Sequence, residues 1–393
     1  MSWASIANNQ TVSLANLQDA VNNGVFTLKN AIPVSNKQTN KSEAEYYVYI
    51  DPISKATNQL VVKSNLVANT STSTTSTSTT PPPVARYALA GSGSDLYISN
   101  NGGANWATVP FFNGQTIENV CVSSTGQYML VVAYPISGFT RNLYLSSNYG
   151  SSWSTILTNI GTVNNLDISD NGQYIIWVTG TNSGNVFRST DFGATFSTSG
   201  SPGASNWKGV AMSSSGQYVT IVSYNSWIWV SSNYGASYTA KTAYPSTLWV
   251  PVVMSSNGQY QVAGRGGAAG TIYRSTNFGS TWTNTGAPVS NGWGVLAMSG
   301  DGQRLLGLTN FRNTELYKST NAGANWSTVT TIGSGGNGNW NCVAISPDGV
   351  TQLVGANGNV WPTDNIWLST DSGANFSVRP GTDLGWNSIS IGD

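Results

Sequence analysis

The chain has 393 residues, with 16 Lys+Arg balanced by 16 Asp+Glu, no His, two Cys and 43 Gly. Charged residues make up only 8%, about a third of the roughly 25% usual in soluble domains, while aromatics reach 11% with 15 Trp. This neutral balance leaves no electrostatic footprint for nucleic acid or an anionic membrane, and the absence of His removes Ser-His-Asp triads, Cys-His dyads and His-ligated zinc. Without a run of about 18 apolar residues no membrane insertion is expected. The opening MSWASIANNQTV lacks the basic and apolar regions of a secretory signal. Two Cys in a chain this long cannot form a disulfide scaffold.

Residues 1–69 read as a small α/β module. Leu14, Leu17 and Val21 lie at helical spacing after Ser13, a potential N-cap, and a second helix is expected from Ser42, where Glu45 completes a capping-box pattern. QLVVK at 59–63 reads as a strand. A core built from 69 such residues would be marginal, which favours oligomerisation or docking on a partner; the competing reading is a partly disordered tail. Residues 70–83, TSTSTTSTSTTPPP, cannot bury a core and form a solvated linker, stiffened at its proline end.

Residues 84–393 repeat. One motif occurs seven times: SNNGGANW, SSNYGSSW, STDFGATF, SSNYGASY, STNFGSTW, STNAGANW and STDSGANF, beginning at 99, 146, 189, 231, 275, 319 and 369. Its glycines, Gly103, Gly150, Gly193, Gly235, Gly279, Gly323 and Gly373, recur at steps of 42 to 50 residues. A second motif alternates with it, SSTGQY at 123, SDNGQY at 169, SSSGQY at 213 and SSNGQY at 255, with looser copies at 299 and 346. Each unit predicts four short strands, A to D, with SxxGQY turning A into B and S-x-[DN]-x-G-x-x-[WFY] turning C into D. The Asx residues of the second turn, Asn101, Asn148, Asp191, Asn233, Asn277, Asn321 and Asp371, are expected to accept backbone N–H groups while Gly supplies positive φ. A four-stranded unit repeated radially is an all-β propeller. The chain ends in WNSISIGD, which aligns with strand A, and begins its repeats at Arg86 with B, C and D alone. The last strand therefore completes the first blade, giving seven closed blades with no free edge.

The repeated box resembles the Asp-box, or BNR, repeat of sialidases, sortilin-type receptors and xyloglucan-cleaving hydrolases. That resemblance implies the same propeller fold, with boxes that are structural and lie away from the working face. Both turn motifs fall on one face, so the B–C and D–A loops, uneven in length and sequence, share the other, where binding usually resides. Strand B of the first blade starts on the turn face, so the linker is expected to leave there and the loop face to point away from residues 1–69. Trp207, Trp249, Trp293, Trp340 and Trp386 each stand at the entrance of a strand A, where the two remaining internal A strands carry Ile117 and Val163. One reading makes them an incomplete ring of sugar-stacking platforms at the channel mouth; the other wedges each indole between adjacent blades. Arg141, Arg265, Arg312 and Trp361, with Phe139 and Phe311, are further loop-face candidates. Cys121 and Cys342 fall on non-adjacent blades and are expected to be buried free thiols. Asp167 is an acidic residue in a strand A; a lone carboxylate makes a poor metal site, so neither a metal nor a cofactor is expected.

Three functions follow. Few charges, many Ser, Thr, Asn and Gly, and many aromatics suit non-catalytic recognition of a glycan by stacking and hydrogen bonds. A glycoside hydrolase, sialidase-like or capsule-degrading, would need two facing carboxylates; Asp95, Glu118, Glu315, Asp364 and Asp383 could reach the loop face, but no arginine triad or Phe-Arg-Ile-Pro signature accompanies them, so no catalytic residue is assigned. The N-terminal stretches WASIANNQTVSLANLQDAVNNGVF and SNKQTNKSEAEYYVYIDP resemble the anchors of fibre or virion-surface proteins in tailed, crAss-like phages of Bacteroidetes. That resemblance implies a virion-surface protein assembled in the host cytoplasm and acting outside it. Residues 1–69 would then trimerise or dock on other virion proteins, with the propeller facing host-surface glycan. A purely structural decoration of the particle is the third reading.

Overall fold

The computed structural model describes residues 86–180, 183–198, 200, 202–244, 247–267, 270–286, 292–309, 315–330, 332, 340–356, 365–379 and 384–392, together with the backbone of two strands near the N-terminus. The chain divides into two units, Met1–Thr79 and Thr80–Asp393. In the first, Tyr46–Tyr49 pairs antiparallel with Val61–Ser64. The second strand overlaps the expected one, starting two residues later and ending one later. The first replaces the helix expected from Ser42: three Tyr and a Val favour a pleated strand, and that preference overrides the capping-box signal. The helix expected after Ser13, the linker 70–83 and the direction in which it leaves the repeats lie outside the described residues.

The second unit is all-β, built from seven antiparallel sheets arranged as blades. Within each of blades 2 to 7 the strands run A to D outward in chain order. Blade 4, for example, comprises Asn206–Met212, Val219–Tyr224, Trp229–Ser231 and Thr239–Ala240. Strand B carries the core because it is covered on both sheet faces by neighbouring blades; in blade 2 Met129, Leu130, Val131, Val132 and Ala133 are all fully buried. Strand D is the exposed rim, two residues long in blades 1 and 4 to 7 but seven in blade 2, Ser154–Ile160. In blade 3 it is reduced to one bridge, in which Arg188 and Ser197 exchange both backbone hydrogen bonds at 2.9 Å.

Closure follows the sequence. Trp386–Ile391 is strand A of blade 1 and pairs with Ala88–Ser92, Ile389 opposite Ala90 and Ile391 opposite Ala88. The Gly392 N–H reaches the Tyr87 carbonyl at 2.8 Å. On the turn face Arg86 donates to Asp348, in the A–B turn of blade 7, at 2.6 Å, and also to Thr351. Ser388 and Ser390 then accept the N–H groups of Val120 and Val122 in blade 2 at 3.1 and 3.0 Å. Ring closure thus joins blades 7, 1 and 2 through both ends of the repeat region.

The seven box turns share one geometry. Where the first box begins, Ser99 Oγ donates to Asn101 Oδ1 at 2.9 Å and accepts the Gly103 N–H at 2.8 Å, while Asn101 Oδ1 accepts the Asn105 N–H at 2.9 Å. Asn148, Asp191, Asn233, Asn277, Asn321 and Asp371 accept the equivalent N–H in their own boxes at 2.9 to 3.0 Å. The residue before each box glycine and the glycine itself both have positive φ. In three boxes the closing Trp returns its indole N–H to the glycine carbonyl at 3.1 Å. These residues are structural: they satisfy the turn's own donors.

Candidate functional site on the loop face

The seven A strands line a central channel of about 560 Å³. Every one of them carries a β-bulge just inside the loop face, where register shifts after Ile117, Val163, Trp207, Trp249, Trp293, Trp340 and Trp386. A bulge inserts an extra residue and re-aims the side chains around it. In every blade but the second, where Glu118 turns to Arg141, the extra residue stands at the channel wall, and the residue before it swings into the seam between blades.

This overturns the stacking-platform reading of the five Trp. Trp207, Trp249, Trp293 and Trp386 are no more than 1% exposed, and Trp340 only 7%. Glycines in strand B of the preceding blade make room for the seam residue. A Cβ on Gly264 would come within 2.7 Å of Trp293 Cβ, one on Gly355 within 3.1 Å of Trp386 Cβ, and one on Gly91 within 2.4 Å of Ile117. Tyr97 meets Trp386 edge-on at 5.3 Å, and Tyr273 meets Trp249 edge-on at 5.2 Å. The indoles hold blades together and offer no face to a ligand.

What lines the channel mouth instead is amide. Asn341 donates to the Trp386 carbonyl at 2.9 Å, Asn387 to Ile117 at 3.2 Å, Asn119 to Val163 at 2.9 Å and Asn164 to Trp207 at 2.7 Å. These four clamps span consecutive junctions from blade 7 round to blade 4. The remaining arc is formed by Lys208, Val250 and Gly294. Deeper in the channel, Asp167 Oδ2 accepts the Met212 N–H of blade 4 at 2.7 Å, and its Oδ1 accepts the Ile168 N–H at 2.8 Å and the Cys121 thiol of blade 2 at 3.6 Å. Burial pushes this carboxyl up to about 6 against those hydrogen bonds. Cys121 and Cys342 are buried free thiols, and burial raises both, Cys342 to about 12.

Above the channel, two clusters present rings and cations together. In blade 2 the B–C loop exposes Ile136 and Phe139, the latter 85% exposed. Phe139 lies 6.5 Å from Tyr134, and the Arg141 guanidinium sits 5.1 Å over the Tyr134 ring while bonding Glu118 at 2.6 Å. Phe111, from the adjoining D–A loop, is also exposed and packs edge-on against Tyr144 at 5.6 Å. In blade 4 the Lys208 ammonium lies 4.5 Å over Tyr224, and Trp227 is partly exposed beside Trp229. An aromatic face flanked by a paired cation and hydroxyl or amide groups can take the C–H face of a sugar ring and bond its hydroxyls.

The remaining sequence candidates divide three ways. Arg141 and Phe139 belong to the blade 2 cluster. Arg265 is half-buried and donates to Thr247 Oγ1 at 2.9 Å, bracing a D–A loop. Arg312, Trp361, Phe311, Asp364 and Asp383 lie outside the described residues. The three described carboxylates of this face are each engaged: Asp95 by the Ser94 hydroxyl at 2.7 Å, Glu118 by Arg141, and Glu315 by the Tyr317 hydroxyl at 2.5 Å. Sequence reasoning missed Tyr134, Lys208, Tyr224 and Trp227. It missed the amide clamps as well, although Asn164, Asn341 and Asn387 recur one residue after the seam position and were readable as such.

No family model and no curated protein matches this sequence. Solved structures do match. A GH74 xyloglucanase from Xanthomonas campestris gives a TM-score of 0.56 at 16% identity, over 78% of this chain and 52% of that one. A GH74 enzyme from Niastella koreensis gives 0.52 at 16% identity, over 78% and 66%. The chain is a seven-bladed β-propeller. At this identity the likeness establishes the fold alone, and the propeller protein spans between about half and two-thirds of those chains' lengths.

Proposed function

We propose that this propeller is the glycan-binding head of a virion-surface fibre protein from a tailed phage, and that it binds host-surface glycan without cleaving it. The observation that carries the binding reading is the blade 2 cluster, in which a nearly fully exposed Phe139 stands beside Tyr134 and the Arg141–Glu118 pair on the irregular loop face. Mutual neutralisation of Arg141 and Glu118 and the chain's zero net charge suit uncharged sugar, with contacts only weakly sensitive to salt. The virion placement rests on the resemblance of the N-terminal stretches to fibre anchors. In this reading residues 1–69 supply trimerisation or docking, and several weak heads gain avidity.

A glycan array with the full chain tests it. Binding should be present, should fall at least about tenfold in Phe139→Ala, and should survive Trp293→Ala wherever that variant is folded. Absence of any glycan hit would overturn the reading in favour of particle decoration. Release of new reducing ends from capsular polysaccharide would overturn it in favour of a glycosidase.

A further inference from the structure

The turn face carries a feature that its turns do not require. The residue before each box glycine has φ between 54° and 69° in all seven blades, a left-handed conformation that favours Gly or Asn. Blades 1, 6 and 7 place Gly102, Ala322 and Ser372 there. Blades 2 to 5 place Tyr149, Phe192, Tyr234 and Phe278, bulky residues in strained backbone. Each ring leans on the Tyr of the preceding blade: Tyr149 on Tyr87 at 4.9 Å, Phe192 on Tyr128 at 6.4 Å, Tyr234 on Tyr174 at 4.6 Å and Phe278 on Tyr218 at 4.8 Å, with interplanar angles of 26° to 38°. Despite this support the four box rings are still 36 to 48% exposed. The result is a contiguous arc of paired, preset rings over four junctions, absent from the other three.

We infer that this arc is a second ligand-binding surface, on the face opposite the loops, and that it takes a neutral, linear polysaccharide. The argument is chemical. One side of each box ring is held by its Tyr partner, so the other is available as a flat apolar platform fixed before any ligand arrives. The platforms repeat blade by blade, which suits a polymer of like units better than a single small molecule. Hydrogen-bonding groups border them: Gln217 and Gln259 are half-exposed beside the rings, and the hydroxyls of Tyr128, Tyr174 and Tyr218 have no hydrogen-bond partner among the described residues. Fixed charge is sparse along the arc: Arg188 donates to the Tyr234 carbonyl at 2.5 Å, Asp191 accepts from Ser189 and Thr195, and Arg274, just before the blade 5 box, is the one arginine there whose Nε lacks a partner among the described residues. Phosphate recognition would need free cations in series, which the arc lacks. This inference stands on residues that the loop-face reading does not use.

Native gels containing hydroxyethyl cellulose, galactomannan or mixed-linkage β-glucan test it by retardation of the full chain. Retardation is expected in at least one gel, and the double variant Phe192→Gly with Phe278→Gly should weaken it at least about fivefold. Glycine suits the backbone there, so the thermal midpoint should hold, while Phe192→Tyr should keep full retardation. No retardation in any gel, or equal retardation of the double variant, overturns the proposal. A midpoint that falls together with retardation assigns the rings to blade packing and equally overturns it; Phe192→Asn with Phe278→Asn provides the same comparison should the glycine variant not fold. Phe139→Ala on the loop face should leave this retardation unchanged, so the two surfaces fail separately.

Discussion

Replacing Asp167 by Ser should change how stability depends on pH. The carboxyl is half-buried in the channel wall beside Cys121 and Asp170, and desolvation there lifts it from 3.8 to about 6. Between those values the native state holds a proton that the unfolded chain has released. The stabilisation is therefore complete below about pH 4 and is lost as pH rises through 6. A shift of about two units corresponds to roughly 3 kcal/mol in full, and because the unfolded carboxyl is already more than half ionised at pH 4, the wild type should lose about 2 kcal/mol between pH 4 and pH 7. The box carboxylates act in the opposite sense and lower down. Asp371 is held at about 2 by the backbone and side-chain N–H groups of Asn375 and the Ser369 hydroxyl, and Asp191 is also lowered, so their contribution falls away only as pH drops below 4. Ser is the informative replacement because blade 1 already uses it: Ser390 occupies the equivalent position and accepts the Val122 N–H at 3.0 Å, as Asp167 accepts that of Met212. Asp167→Ser keeps that acceptor without the charge. It should carry a pH-independent offset of about 1–2 kcal/mol from lost packing and the lost Ile168 hydrogen bond. Urea unfolding at half-unit steps from pH 4 to 7 measures both curves. A flat wild-type profile, or a variant that keeps the full decline, would refute the reasoning.

Four further outcomes follow from the packing. Trp293→Ala empties a seam site only 1% exposed and should cost about 3–5 kcal/mol in urea unfolding, with little effect on glycan affinity below its melting temperature. Gly355→Ala would set a methyl 2.6 Å from Cys342 Sγ and 3.1 Å from Trp386 Cβ; overpacking should lower stability by about 1–3 kcal/mol, read from the same transition. Deleting residues 386–393 strips strand A from blade 1 and bares the edge of Ala88–Ser92, so size-exclusion chromatography should find aggregate in place of monodisperse protein. Cys121 and Cys342 should resist a disulfide-exchange reagent at pH 8 and both react in urea, because burial withholds the thiolate.

Repeat spacing makes the blades legible in the sequence, and the C-terminal segment WNSISIGD, a strand A with no B after it, makes the closure legible. Both are periodic features, and radial repetition leaves few ways to satisfy them. The N-terminal unit lacked that protection: a capping-box pattern at Ser42 and a run of Tyr at 46–49 compete locally, and the strand pairing that decides between them is non-local. The Trp positions permit two readings from sequence, and of these the structure bears out the wedge between blades. Strict alternation along strand A extends the channel-lining parity to its entrance, but the bulge after each seam residue breaks that parity. Nothing in residue type announces the bulge, because its extra residue is Asn, Glu, Lys, Val or Gly in different blades. The blade 2 cluster was visible only as fragments. Glu118, Arg141 and Phe139 were each readable, but their convergence needs the register that sets Ile117 opposite Ala133 and Ala133 opposite Asn142. The same aromatic composition thus serves two physical ends, and burial separates them. Rings placed before a bulge stabilise seams and cannot discriminate among ligands, while rings placed after strand B, or in the left-handed corner of a box, stay partly in water. Any binding energy this propeller gains from aromatic stacking must come from that second, solvent-facing set.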